Sequence, residues 1–162
     1  MKKFLKWFGI VLVIALIVFQ FIPVDRHNPP VDPSKTLFAS TTVPANVHSV
    51  LQRSCQDCHS SETRWPWYSH FAPVSWLLAS DVHDGRKRMN LSEWGNYPQK
   101  KKEDKLDAIC DMVSQNEMPP LQYRLIHRDS VLTQQDRDTL CQWTKTADTA
   151  APGSAAATKA PK

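Results

Sequence analysis

The longest uninterrupted pattern along the chain is apolar. From Trp7 to Val24 no charged residue occurs, and Lys2, Lys3 and Lys6 stand just before that run. Wound as one helix it would extend about 27 Å, close to the ~30 Å of a bilayer core. The pattern predicts a transmembrane helix within residues 1–24. No small-x-small cleavage site follows it, only Gln20-Phe21-Ile22-Pro23, so an uncleaved anchor is favoured over a secretory signal peptide. The lysines belong on the cytoplasmic side. For a bacterial protein this predicts a single pass through the inner membrane, with the C-terminal domain in the periplasm.

Further along, the period changes. Residues 25–43 carry Pro29, Pro30 and Pro33 between polar residues and read as a semi-rigid tether. From Pro44 the spacing is helical. Val47, Val50, Leu51, Ser54 and Cys55 fall on one face of a first helix that Pro44 starts. A second follows Pro73 with Val74, Leu77, Leu78 and Val82, and Gly85 is expected to stop it. Pro98 opens a third, with Leu106, Ile109, Cys110 and Val113 as its apolar stripe. Thr133 and Asp136 form a capping-box pair ahead of a last helix containing Leu140 and Trp143. No stretch alternates with a period of two. The expected fold is all-α, with a helical domain over residues 44–146 and a small, polar, disordered tail over 147–162.

Charge alters the picture only by exclusion. The whole chain is formally +4, but three of its twenty basic residues precede the apolar run, leaving seventeen against sixteen acidic residues. A near-neutral domain gives no support to nucleic-acid binding. Lys100 to Lys102 reads as a solvated first helical turn.

The stretch SCQDCHS carries the chemistry. Cys55, Cys58 and His59 fit C-x-x-C-H, the attachment signature of a c-type haem. One turn of chain presents two sulfurs for the vinyl groups, and the next residue brings an imidazole to the iron. A thioredoxin-like pair would want a βαβ context, and structural zinc a second ligand pair at matching spacing; neither is found. The cofactor read from these residues is one covalent haem c, and the axial position opposite His59 is open to Met89, Met112, Met118, His48, His70, His83 or His127. Met112 reads as core filler by its helical spacing. Met118 precedes Pro119-Pro120, which stiffen the backbone, and is the preferred sixth ligand.

Taken together, Phe21-Ile22-Pro23-Val24, Asn28-Pro29-Pro30, CxxCH followed by SETRWPWYS, PVSWL, Ser92-Glu93-Trp94 and EMPPLQYRLIH resemble the membrane-anchored bacterial haem-binding domain family, over residues 1 to about 145. The resemblance implies a cytochrome c-like helical domain with Cys55 and Cys58 as covalent attachments, His59 as proximal ligand and Met118 as distal ligand. It supplies no defined physiological reaction.

In the aromatic segment, Trp65, Trp67, Tyr68 and Trp76 are candidates to wall the porphyrin, with Arg64 as a propionate partner; a plain core role or a place at the bilayer surface competes for the rings. Cys110 and Cys141 depart from the family expectation. A disulfide between helices three and four and two buried thiols are the alternatives. The expected function is a membrane-tethered monohaem electron carrier serving unidentified redox partner proteins, with no catalytic residues. A haem sensor or small peroxidase with a labile or histidine sixth ligand is the alternative, and a thiol oxidoreductase using Cys55 and Cys58 is a third.

Overall fold

The computed structural model describes residues 1–147, and every regular element among them is helical. In chain order these are α1 (Lys2–Phe19), α2 (Leu37–Ser40), α3 (Ala45–Ser54), α4 (Gln56–His59), α5 (Val74–Arg88), α6 (Gln99–Ser114), α7 (Leu121–Ile126) and α8 (Gln134–Thr146), with short 3-10 turns between several of them. The all-α expectation stands, and α3, α5, α6 and α8 begin where Pro44, Pro73, Pro98 and Thr133 place their starts. Thr133 and Asp136 form the full reciprocal capping box.

The transmembrane helix is corrected. Among the described residues no helix is long and apolar enough to cross a membrane. The charge-free run from Trp7 to Val24 is not one helix, because α1 stops at Phe19 and the chain turns at Gln20. The uncharged helical part, Trp7 to Phe19, rises only about 20 Å. Lys2, Lys3 and Lys6 occupy the rest of the same helix. Its C-terminal end touches the body of the protein, where the Phe19 and Trp76 rings meet edge to face at 5.3 Å. The Gln20 amide also bonds the backbone of Ala72 in both directions.

The expected tether is packed onto the domain. Thr36 caps α2, and Leu37 is completely buried in the core. The Arg26 guanidinium donates to the Ser69 carbonyl at 3.0 Å, and the Trp143 indole donates to the Thr42 carbonyl at 3.2 Å. The packed region therefore begins well before residue 44. The tail assigned to 147–162 lies, from residue 148, outside the described residues.

The core follows from the helical stripes. Val47, Val50 and Leu51 of α3 meet Leu106, Ile109 and Val113 of α6 in one cluster, closed by Leu140 and Trp143 of α8. α8 packs against both other helices. Arg53 of α3 reaches the cap of α8 through a 2.7 Å ion pair with Asp136. Cys110 and Cys141 form a disulfide between α6 and α8. It closes 31 residues of chain, a constraint worth about 3–4 kcal/mol. The double variant Cys110→Ser/Cys141→Ser is expected to lower the unfolding free energy by that amount, seen as a lower urea midpoint, with a slope equal to or slightly above the wild type's because the unfolded chain is freer. An unchanged midpoint would mean that the bridge adds nothing beyond the α6–α8 packing.

Gly85 does not stop its helix. α5 continues to Arg88, and Gly85 is instead the point where α5 crosses α4. A Cβ there would lie 2.5 Å from the Cys58 carbonyl oxygen. Glycine is present because two backbones meet.

Candidate functional site

α3 ends at Ser54, and Cys55 leaves the helical region with φ −124° and ψ −36°. The chain then makes a single turn. The amides of Cys58 and His59 both donate to the Cys55 carbonyl, at 3.3 and 2.9 Å. Cys55 and Cys58, three apart on this turn, share a face. Ser60 and Ser61 behind them are buried and tied down: the Ser61 amide donates to the Ser92 hydroxyl at 3.0 Å, and Arg86 Nε donates to the Ser60 carbonyl at 2.8 Å. The motif is fixed from behind by α5 and by the turn containing Ser92.

The C-terminus of α5 orients His59. Met89 caps that helix, and its carbonyl lies 3.1 Å from His59 Nδ1. A carbonyl only accepts, so Nδ1 carries the proton and the lone pair is on Nε2. Burial lowers the His59 pKa, against hydrogen bonds to the Met89 and Gly85 backbone and with help from Lys105 and Arg88. The imidazole is neutral near pH 7, the form that ligates a metal.

Cys55, Cys58 and His59 line one wall of a cleft of about 910 Å³, counted with its open mouth. Ala108, Ile109 and Met112 of α6 form another wall, and Met118, Pro119 and Tyr123 a further one. Met112, read from the sequence as core filler, is thus a cleft residue.

Met118 arrives there because α6 ends in a Schellman motif. Asn116 takes the left-handed conformation, φ 61°, its amide bonds the Val113 carbonyl and the Glu117 amide bonds the Met112 carbonyl. The Asn116 side chain accepts from both Arg124 and Arg137, at 2.8 and 3.1 Å, locking the reversal.

Electrostatics separate the two sulfurs from a reactive dithiol. Burial, then the neighbouring Cys58, pushes the Cys55 thiol up to about 12. Burial with Asp81 and Asp57 nearby does the same for Cys58, also to about 12. Both remain S–H at neutral pH and are unpaired with each other. Between them, Asp57 faces away. Burial pushes its pKa up, but hydrogen bonds from Arg64 and Tyr123 outweigh this and hold the carboxyl below its usual value.

Several expected residues are elsewhere. Arg64 is mostly exposed and is bound to Asp57, at 3.1 and 3.0 Å, outside the cleft. Trp65 donates to Asn28, Trp67 is 77% exposed, Tyr68 bonds His127, and Trp76 packs on Phe19; none lines the cleft. Among the candidate axial ligands, His48 lies against Phe38, and neither it nor His70, His83 or His127 reaches the cleft. Met89, Met112 and Met118 all do. Sequence reasoning missed Tyr123, Arg88 and Lys105 as lining residues. Lys105, Ala108 and Met112 lie three and four residues apart beside the core stripe of α6, which is the signal that points to Lys105.

A family model described as a haem-binding domain matches residues 14–146. The chain belongs to that family. No curated protein matches it, and no solved structure matches it. Haem is thus the cofactor, and the cleft fits it: an apolar seat with two free thiols, a neutral imidazole with Nε2 unprotonated, and thioethers on its walls.

Proposed function

We propose that this haem-binding domain protein is a monohaem c-type electron carrier, with thioether links at Cys55 and Cys58 and iron ligation by His59 and Met118. The single observation that carries the reading is that one cleft gathers Cys55, Cys58, His59 and Met118 and is lined by no second histidine. Bound haem supplies one-electron Fe(II)/Fe(III) exchange. The protein's part is positioning. The Met89 carbonyl holds the proton on Nδ1 and raises the donor strength of Nε2. Ile109, Met112 and Val113 make the α6 wall of the cleft apolar, and a haem held there would be shielded from water on that side, which would favour the less charged ferrous state. Met89 gives its carbonyl to His59 and so belongs to the His59 side, which leaves Met112 and Met118 as thioether donors. Met118 stands on a locked reversal stiffened by two prolines, whereas Met112 lies within α6.

The raised thiols argue against the oxidoreductase reading, since such a catalyst needs a thiolate at working pH. The disulfide between Cys110 and Cys141 favours an oxidising compartment.

The deciding experiment is an optical and potentiometric titration of the protein expressed with c-type maturation. The wild type is expected to retain haem after denaturation, to show a sharp reduced α-band and, oxidised, the weak long-wavelength band of methionine ligation. Met118→Ala should lose that band and lower the potential by about 120 mV, a hundredfold change in the oxidised-to-reduced ratio at about 59 mV per decade. Met112→Ala should keep the band. If Met112→Ala loses it instead, the ligand is misassigned. If the wild type lacks it, a sensor or peroxidase with a labile site replaces the carrier.

A further inference from the structure

Among the described residues only two charged side chains line the cleft, and both are cations. Arg88 is the last residue of α5, and Lys105 lies on the second turn of α6. No aspartate or glutamate among the described residues lines the cleft. Neither cation takes part in an ion pair among the described residues, where the pairs are Lys35–Asp32, Arg53–Asp136, Arg64–Asp57 and Lys100–Asp104.

Lys105 is also held in place. Its ammonium donates to the Arg88 carbonyl and sits 4.5 Å from the centre of the Tyr97 ring. These partners are neutral, so they fix the nitrogen without neutralising it, and an ammonium has further N–H groups to give. Burial, then Lys101, lowers the Lys105 pKa, as expected for a cation drawn partly out of water with too little counter-charge. A protein that desolvates one cation beside another, at the rim of an apolar cleft, leaves a place for anionic oxygen.

We propose that Arg88 and Lys105 form a carboxylate clamp for the two propionates of the porphyrin, fixing the acidic edge of the ring at this rim. The inference rests on the cleft being the haem seat. Haem carries its two carboxylates on one edge and its two vinyl groups away from it. Arg88 offers a planar fork suited to one carboxylate, and Lys105 a point charge for the other. The clamp selects which edge of the ring stays at the rim, so that the vinyl edge is directed to Cys55 and Cys58. Arg64, the cation expected for this part, is occupied by Asp57.

The test compares zinc protoporphyrin IX with its dimethyl ester, each titrated into the full-length apo-protein and followed by the Soret shift. The ester keeps the ring and the vinyl groups and removes only the two charges. Wild type is expected to bind the diacid at least tenfold more tightly than the ester. Arg88→Gln/Lys105→Gln should bind both within about twofold, and Lys101→Gln, a neighbouring exposed lysine, should keep the preference. Should the double variant fail to fold by circular dichroism, each single variant is expected to lose at least threefold of the preference. An undiminished preference in the variants, or none in the wild type, overturns the clamp while leaving the haem seat standing. If neither porphyrin binds the wild type and no haem is acquired on expression, the seat itself is wrong and the clamp falls with it.

Discussion

Arg86→Ala is expected to destabilise the protein by roughly 3–5 kcal/mol and to leave most of it without haem. The guanidinium lies behind the C-x-x-C-H turn and uses four bonds to hold it. Nε donates to the Ser60 carbonyl at 2.8 Å, and the terminal nitrogens donate to the His27 carbonyl at 2.9 Å, the Asn28 amide oxygen at 2.6 Å and the Thr63 hydroxyl at 2.9 Å. Hydrogen bonds to a charged group contribute about 1.5–3 kcal/mol each, but bonds sharing one donor are not additive and this one is only half-buried. The lower range follows. Two pieces of chain more than thirty residues apart, His27-Asn28 and Ser60 to Thr63, lose their common tie, and Ser60 is the residue next to His59.

Lysine at position 86 should recover little, because a single ammonium cannot reach both segments. Urea unfolding of the two variants, with haem content measured on the same samples, tests this. A loss below about 1 kcal/mol would show that the Ser61–Ser92 bond and its Asn90 neighbours already hold the turn.

Arg86 also shows where sequence reading ended. Residues acting within one helical turn were legible. Pro44, Pro98 and the Thr133–Asp136 pair mark helix starts by local sterics and capping, and Cys55, Cys58 and His59, within five adjacent positions, line one cleft. Residues whose role depends on which side of an element they meet were not. The SETRWPWYS segment follows the motif directly, and its rings were expected beside the ring of the haem. Yet the chain leaves α4 away from the cleft, and Asp57, Arg64, Tyr68 and His127 gather on the other face. Nothing within those residues encodes the direction, because it is set by Ser60 and Ser61 bonding to Arg86 and Ser92, some 25 to 30 positions later.

The apolar run at the N-terminus failed for a related reason. Hydropathy counts Trp7 to Val24 as one unit, whereas the backbone ends its helix at Phe19 and ties Gln20 to Ala72. The polar amide in that run was the available signal. Pro23 shortly after it excludes resumption of the helix through that point.

Gly85→Ala should remove haem binding by more than tenfold at a net cost of about 3 kcal/mol in stability. Helix propensity alone predicts the opposite sign, since alanine in place of a helical glycine favours the helix by up to about 1 kcal/mol, here in the last turn of α5. Contact decides against it. The added Cβ would stand 2.5 Å from the Cys58 carbonyl oxygen and 3.0 Å from its carbonyl carbon, and both are backbone atoms that cannot rotate away. α5 must shift, at an overpacking cost toward the upper end of about 1–3 kcal/mol.

The same helix end carries the Met89 carbonyl that orients His59, so the shift also loses that bond, worth about 1 kcal/mol. Gly85, Arg86, Arg88 and Met89 thus belong to one instrument. In five consecutive residues α5 approaches the motif's backbone, ties its loop, lines the rim of its cleft and sets the tautomer of its histidine. An alanine variant that kept normal haem content and unfolded at the wild-type midpoint would mean that α4 and α5 do not cross here as closely as 2.5 Å implies.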